Sequence, residues 1–484
     1  MSLGALEATV IGTAMPTVIA TLGGLAHYSW VFAAYLLTST ASVPIWGRLS
    51  DLYGRRRLYL AGIIVFIAGS ALSGAATTMT ELIVYRAIQG LGAGAVIPLS
   101  MTIVGELYAL EERPRTQALF SGVWGLASIA GPLVGGYVTD ALSWRWVFYL
   151  NLPFGFLAIA IIWLAYPAKT RTTESKVDWV GAVLLFGGVT ALLVALGDVT
   201  DDVAPWYVAT VALLAAFVLV ERRVADPIMP LDLFHHLVVS RSLIVVFMTG
   251  MAMFGAIAFV PLFVQVAMGG TATQAGQVLT PLFLGWVATS IAGARLTVLV
   301  GYRPIAILGG SLLTAAFVAL AFIDGDTLMR PLLAAVFVLG SGMGFSMLSL
   351  LLAVQHGVDR SLLGVATSLN QFARSVGAAV GVAIMGAILA RGLAGTSVAG
   401  GITGMTSGTM QLDSLARVQF VHALNRVFGA GAVMAAVGLA AAFLLPPVDL
   451  SRGVPAGTGE QMLAAEMTSL EPESEPESVA RPRP

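Results

Sequence analysis

Gly47–Arg57 reads GRLSDLYGRRR and sets one acid and four arginines between two long apolar runs. Cationic side chains crowded at the end of an apolar segment are retained on the cytoplasmic face of a membrane. Arg48, Arg55, Arg56 and Arg57 therefore predict a short loop at that surface. Asp51 has arginine on both sides and can tie two helix ends together by a charge-assisted hydrogen bond that breaks when the helices rearrange. The same residues would serve equally as a fixed topological anchor.

Outward from this loop the chain stays apolar. Of its 484 residues 57% are hydrophobic and 11% charged, too little polar surface for a water-soluble protein of this length. An all-α integral membrane protein is expected. A net charge of -1 supplies no basic field for nucleic acid, and without cysteine there is no thiolate nucleophile and no cysteine metal site. The 54 glycines suit closely packed membrane helices.

A helix needs roughly 20 apolar residues to cross the hydrocarbon core. Fourteen such runs stand at 3–22, 29–49, 58–76, 82–105, 116–138, 146–166, 178–197, 204–221, 242–264, 273–294, 304–322, 331–353, 362–390 and 421–446. They group into an N-terminal six-helix bundle (1–166), two inserted linker helices (167–222) and a C-terminal six-helix bundle (223–446). The 447–484 segment ends EPESEPESVARPRP and is too polar to bury a core, which predicts a disordered cytosolic tail. The Gly/Ser/Thr/Met-rich stretch from Arg391 to Arg417 predicts a mobile outer loop.

Basic residues are one-sided. Loops on the Gly47–Arg57 side carry Arg113, Arg115, Lys169, Arg171, Lys176, Arg222, Arg223, Arg241, Arg295, Arg303 and Arg360, and the tail adds Arg452, Arg481 and Arg483; the opposite loops carry Arg145, Arg330, Arg391 and Arg417. With an even number of spans this predicts a plasma (inner) membrane protein with both termini cytoplasmic. GARLTVLVGYRP, Gly293–Pro304, follows the second span of the second block and loosely repeats the first loop, with Thr297 in place of the aspartate. Parallel repeats of this kind are a transporter plan.

Ionisable groups inside spans are costly and are functional candidates by default. Glu7, Arg86 and Arg374 stand out. Glu7 lies in ALEATVIGTAMP, and a carboxyl set in a low-dielectric cavity can carry a proton near neutral pH. The competing expectation places Glu7 at the membrane surface, because only MSLGAL precedes it. Arg86 opens RAIQGLGAGAVIP, with Gln89 one turn on and Gly90 and Gly94 exposing the backbone beneath it. In LNQFARSVGAAVG, Thr367, Gln371 and Arg374 share a helical face, with Asn370 one turn before the arginine and Gly377 and Gly381 continuing a close-packed seam.

Candidate cavity residues are Glu7, Gln89, Trp124, Gln265, Asn370, Gln371 and Arg374. Gly131, Pro132, Gly135 and Gly136 in GVWGLASIAGPLVGG predict a helix able to rock or seal against a neighbour. No metal-ligand set, no phosphate-binding GxxxxGK[ST] loop and no nucleophile with an adjacent base can be read.

Taken together these segments resemble the major facilitator superfamily, in its fourteen-span drug/proton antiporter branch. Gly47, Asp51, Gly54, Arg55 and Arg56 match the family's loop signature between spans two and three. Arg86, Gln89 and Gly90 match its fourth-span motif, GPLVGG at Gly131–Gly136 its fifth-span antiporter motif, and WRWVFYLNLPFG at Trp144–Gly155 the entry to span six. The resemblance implies a major facilitator fold of two six-helix bundles plus two extra helices. It implies a proton-coupled exporter of hydrophobic or amphipathic compounds, of the multidrug efflux type tied to antibiotic resistance, working by alternating access. Protons, membrane lipids and a small-molecule substrate would be its partners, the proton gradient would stand in place of a cofactor, and the chain would act as a monomer. Glu7 and Arg86 would couple protons, Gly47, Asp51, Gly54, Arg55 and Arg56 would form the conformational latch, and the fifth-span glycines the gate. Two features depart from the pattern: Glu7 stands where the branch has aspartate, and MSLGAL stands where it has half a helix and a basic arm. The alternatives are a dedicated lipid or metabolite exporter of the same fold and, more remotely, a membrane-embedded lipid enzyme.

Overall fold

A computed structural model describes residues 2–107, 127, 130–166, 178–196, 202–224, 227, 229, 231–325, 329–356, 358, 363–394 and 414–446. Trp124, most of the 391–417 stretch and the 447–484 tail lie outside the described residues, as do the side chains of Arg48 and Asp51. The first helices are α1 (Ser2–Leu22), α2 (Tyr28–Tyr53), α3 (Arg55–Ala75), α4 (Met79–Leu107) and α5 (residues 130–141). Next come α6 (Arg145–Tyr149), α7 (Asn151–Ala165), α8 (Trp179–Leu196), α9 (Ala204–Glu221) and α10 (Leu237–Leu262). A π-helical turn (Phe263–Ala267) follows, then α11 (Ala272–Val300), α12 (Tyr302–Ala321), α13 (Met329–His356), α14 (Leu363–Leu393) and α15 (Ser414–Phe443).

Among the described residues, 11 stretches are long and apolar enough to cross a membrane, and Val10–Leu22 is a shorter apolar helix. In lipid every backbone amide must be satisfied within the segment, which makes helix the obligatory form of these runs. Several helices overrun the expected spans, because intrahelical bonding continues past the hydrocarbon edge; α13 begins at Met329 and α14 ends at Leu393. The sixth run is broken into α6 and α7, since Pro153 cannot donate to the carbonyl of Tyr149.

In the first half, α4 packs between α2 and α3; in the second, α13 packs between α11 and α12, and α10 against α14. Most residues of the stretch Leu237–Ala267 are buried and it is central, whereas few of those in Ala204–Glu221 are buried and it is peripheral. Helix α8 rests on α9 and also touches both α2 and α14.

The faint repeat is visible in the backbone. Gly54 (φ 91°) stops α2 and starts α3, and Gly301 (φ 83°) stops α11 and starts α12, in a region that favours glycine. Two residues on, Arg56 donates to the carbonyl of Trp163 at the end of α7, and Arg303 Nη2 donates to the carbonyl of Phe443 at the end of α15 (2.8 Å). Each cation meets the negative end of a helix. Matching the two glycines places Thr297 opposite Ser50 rather than Asp51: Gly54 N–H bonds Ser50 O and Gly301 N–H bonds Thr297 O. Val298 is thus the counterpart of the aspartate.

Candidate functional site

A closed polar cluster sits inside the first half. Arg86 on α4 is 1% exposed and forms an ion pair through Nη1 with Glu7 Oε1 on α1, itself 3% exposed. The other carboxylate oxygen, Oε2, accepts from Asn151 Nδ2 at the start of α7 (2.6 Å). Arg86 Nη1 also donates to Gln89 Oε1 (2.6 Å), and Arg86 Nε to the carbonyl of Val31 on α2 (3.3 Å). Gln89 Nε2 and Asn151 Nδ2 both donate to Ser70 Oγ on α3 (3.1 and 3.0 Å), and that hydroxyl donates to the carbonyl of Phe148 (2.8 Å). Four helices, α1, α2, α4 and α7, thus meet on one carboxylate and one guanidinium, α3 and α6 join through Ser70 and Phe148, and Tyr35 lays its ring 4.1 Å from the Arg86 Cζ.

Local sequence dictates these approaches. A Cβ at Gly90 would meet the carbonyl oxygen of Tyr35 at 2.5 Å, and one at Gly69 the backbone N of Gln89 at 2.4 Å. Only glycine lets α4 seat that deeply between α2 and α3. The break before α7 turns Asn151 toward α1, and Phe148, beside the break, gives its carbonyl to Ser70.

The structure therefore joins Glu7, Arg86 and Gln89, and buries Glu7 rather than leaving it at a surface. Ser70, Asn151 and Tyr35 were not singled out from sequence. Asn151 was detectable as the one amide in the apolar run before Pro153; Ser70 reads like any small packing residue.

The fifth-span glycines lie in a backbone-to-backbone seam. A Cβ at Gly135 would meet Val10 Cγ1 at 2.6 Å, one at Gly136 the carbonyl oxygen of Ala272 at 2.5 Å, and one at Gly276 the carbonyl oxygen of Pro132 at 2.2 Å. Gly131 and Pro132 are buried beside them. Helix α5 is thereby pressed against α1 in its own half and α11 in the other. One turn on, Asp140 accepts from Ala272 N (3.2 Å), Thr273 N (2.8 Å) and Thr273 Oγ1 (2.6 Å). The Tyr28 hydroxyl, bonded to the carbonyl of Ala258, joins the halves at this same end, away from Gly54 and Gly301.

Gln265 departs from expectation. It is 6% exposed in the π-helical turn, where Nε2 donates to Thr13 O (2.8 Å) and Oε1 accepts from Thr17 Oγ1 (3.5 Å). Both amide atoms are committed to α1, so in this arrangement Gln265 ties the halves together. Asn370 likewise is 7% exposed and packed, with its Nδ2 unbonded. Gln371 is exposed and receives a hydrogen bond from Arg374 Nη2, while Arg374 Nη1 lies 3.8 Å from Met347 Sδ on α13. Gln355 Nε2 donates to Thr367 Oγ1 (3.0 Å), which places this stripe of α14 against α13. Gly54 is buried, Gly47 and Arg55 are half-buried, and Arg56 serves the end of α7; the latch at Asp51 lies outside the described side chains. Arg426, exposed on α15, is a further in-span cation that the sequence reading passed over.

Known proteins share this architecture. The D-xylose-proton symporter superposes with a TM-score of 0.59 at 15% identity, covering 90% of this chain and 95% of that one. The peptide transporter POT in complex with sulfate gives 0.63 at 16% identity, covering 91% and 92%. At that identity the likeness concerns the fold. Sequence relatives are nearer: Multidrug transporter protein MdtP of Bacillus subtilis (strain 168) is 38% identical over 80% of this chain and 73% of its own length. Multidrug resistance protein 3 of the same bacterium is 35% identical over 80% and 77%, and Efflux pump dotC of Dothistroma septosporum (strain NZE10 / CBS 128990) is 32% identical over 78% and 68%. The family model described as Major Facilitator Superfamily matches residues 1–382. With its helices, its two glycine-started repeats and these relatives in agreement, the chain is a multi-pass membrane transporter of the major facilitator superfamily.

Proposed function

We propose that the chain is a proton-coupled antiporter that exports hydrophobic and amphipathic compounds, of the multidrug efflux type, by alternating access. The buried pair of Glu7 and Arg86 carries this reading. A carboxylate enclosed by a guanidinium and an amide can accept a proton, and its O–H then no longer attracts the cation. Arg86 keeps Gln89, the Val31 carbonyl and the face of Tyr35, so it need not leave the protein interior charged and unsupported. Each proton moving down a 100 mV potential contributes about 2.3 kcal/mol, enough for roughly fiftyfold accumulation.

The remaining parts fit the same scheme. Two six-helix bundles rock about the seam of Gly131, Pro132, Gly135 and Gly136, and α8 and α9 complete fourteen spans in the plasma membrane with both termini cytoplasmic. Asp51 latches the cytoplasmic end. The names of the relatives support export of drugs; the Glu7 cluster supports protons as the coupling ion.

The test is proton flux in proteoliposomes holding the full chain, on addition of a panel of lipophilic compounds, against Glu7→Gln. Substrate-dependent flux that vanishes in Glu7→Gln supports antiport through this carboxylate. Flux indifferent to the substitution removes Glu7 from coupling.

A further inference from the structure

The two halves treat their embedded charges differently. In the first half Glu7 and Arg86 neutralise each other, and Asn151, Gln89 and Ser70 take up the remaining bonds. In the second half Arg374 has only the Gln371 amide oxygen and the thioether of Met347; among the described residues no carboxylate lies within ion-pair distance and no backbone carbonyl receives its protons. A thioether is a weak acceptor and an amide a neutral one. A guanidinium held inside a membrane span without a counter-charge calls for an anion.

Position says where that anion comes from. Helix α14 has protein neighbours around it, in α2, α8, α10, α13 and α15. Its seam against α10 is tight: a Cβ at Gly250 would meet the Arg374 carbonyl oxygen at 2.4 Å, and one at Gly377 that of Phe247 at 2.2 Å. Even so, Gln371 is exposed and Arg374, beside Met347 of α13, is not fully covered, so the guanidinium stays accessible from this face of α14. Both residues lie in the third and fourth turns of α14, nearer its start than its end, and the halves are tied toward the other end by Asp140 and Tyr28. The stretch around them is otherwise apolar: Phe372, Val376 and Ala379, on the neighbouring face of α14, line a small crevice against α2 and α8. A fixed cation without counter-charge in an otherwise apolar span matches a molecule with one negative group on an apolar body.

We propose that Arg374, assisted by Gln371, recognises the negative group of the cargo, so that amphipathic anions such as lipophilic carboxylates and sulfonates are transported substrates. This rests on the export reading above for transport, while the anion site itself does not depend on it. Gln371 holds the guanidinium by one Nη and leaves its other donors for the ligand.

Three probes sharing one dodecyl chain separate the possibilities: dodecanesulfonate, dodecyltrimethylammonium and an uncharged dodecyl amide. Binding is measured on the full chain in phosphatidylcholine nanodiscs, and proton flux in proteoliposomes, for the wild type, Arg374→Gln and Arg374→Lys. The expected result is sulfonate binding that weakens roughly tenfold or more in Arg374→Gln and is partly kept in Arg374→Lys, with binding of the amide unchanged. Sulfonate should also drive proton flux. Equal sulfonate affinity in the wild type and Arg374→Gln overturns the proposal, as does binding of the ammonium probe alone. Arg374-dependent sulfonate binding without flux from any probe keeps the anion site and defeats the export reading. Should Arg374→Gln fail to fold, Gln371→Ala with Arg374→Lys decides: unaltered sulfonate affinity in both overturns the proposal.

Discussion

Asp140 at the end of α5 accepts hydrogen bonds from both the backbone N–H and the hydroxyl of Thr273 in the first turn of α11. A carboxylate on one half thus caps a helix of the other, where the positive end of the helix dipole favours it. Asp140→Ala removes all three bonds and Thr273→Val only the hydroxyl, so the first should open this end more than the second. The chain contains no cysteine, so spin labels at Tyr137→Cys and Gln277→Cys report on this end alone. A shift of roughly fivefold toward longer distances is expected for Asp140→Ala, given the exposure of the contact. An unchanged distance distribution would remove Asp140 as a lock.

Arg86→Ala strands the Glu7 carboxylate in a site where it is 3% exposed. Leaving one member of a buried pair uncompensated costs about 3–5 kcal/mol. Glu7→Gln combined with Arg86→Gln removes both charges and should recover a substantial part of that loss. Unfolding midpoints of Glu7→Gln, Arg86→Gln and the double variant form a thermodynamic cycle, and strict additivity would show that the pair is not energetically coupled.

Asn151 spends one amide group on two acceptors, Glu7 Oε2 and Ser70 Oγ. Asn151→Leu should lower stability by about 1.5–3 kcal/mol, the range for a hydrogen bond to a charged group. Asn151→Asp should do more damage despite its similar shape, since it sets a second carboxylate against the first. Unfolding in nanodiscs ranks the two, and the reverse order would mean that Asn151 does not contact an ionised Glu7.

Gly90 is where α4 rests on α2, and an added Cβ would stand 2.5 Å from the Tyr35 carbonyl oxygen. Backbone cannot yield as a flexible side chain can, so Gly90→Ala should cost about 1–3 kcal/mol and displace Arg86 from the ring of Tyr35. Loss of the tyrosine contact can be followed by comparing Gly90→Ala with Tyr35→Leu: similar proton-flux defects are expected, and wild-type flux in Gly90→Ala would argue against the tight seat.

Sequence reasoning located most helices because length and apolarity alone determine them. The runs expected at 178–197 and 204–221 are α8 and α9 to within a residue or so. It also identified Glu7 and Arg86, since charge inside an apolar run is conspicuous. It did not bring them together, because their pairing depends on how α1 is rotated against α4, a relation set by the close approaches at Gly69, Gly90 and Gly135. The contact of Gln265 with α1 was not legible for a related reason: the π-helical turn that swings its amide onto α1 leaves no mark in hydrophobic periodicity. Ser70 and Asn151 act only through three-dimensional convergence, and Thr297 was aligned one residue off because the glycine that fixes the register is defined by its backbone angle.

Helix α8 touches both α2 and α14, which also contact each other, and its main neighbour is α9. Relative motion of the halves along the α2–α14 contact must therefore slide past this helix of 18 residues. That makes α8 a bearing: it keeps acyl chains out of the seam between α2 and α14, and it transmits the lateral squeeze of the bilayer to the moving parts. Lipid thickness and packing should then govern turnover through a segment that carries no charge at all.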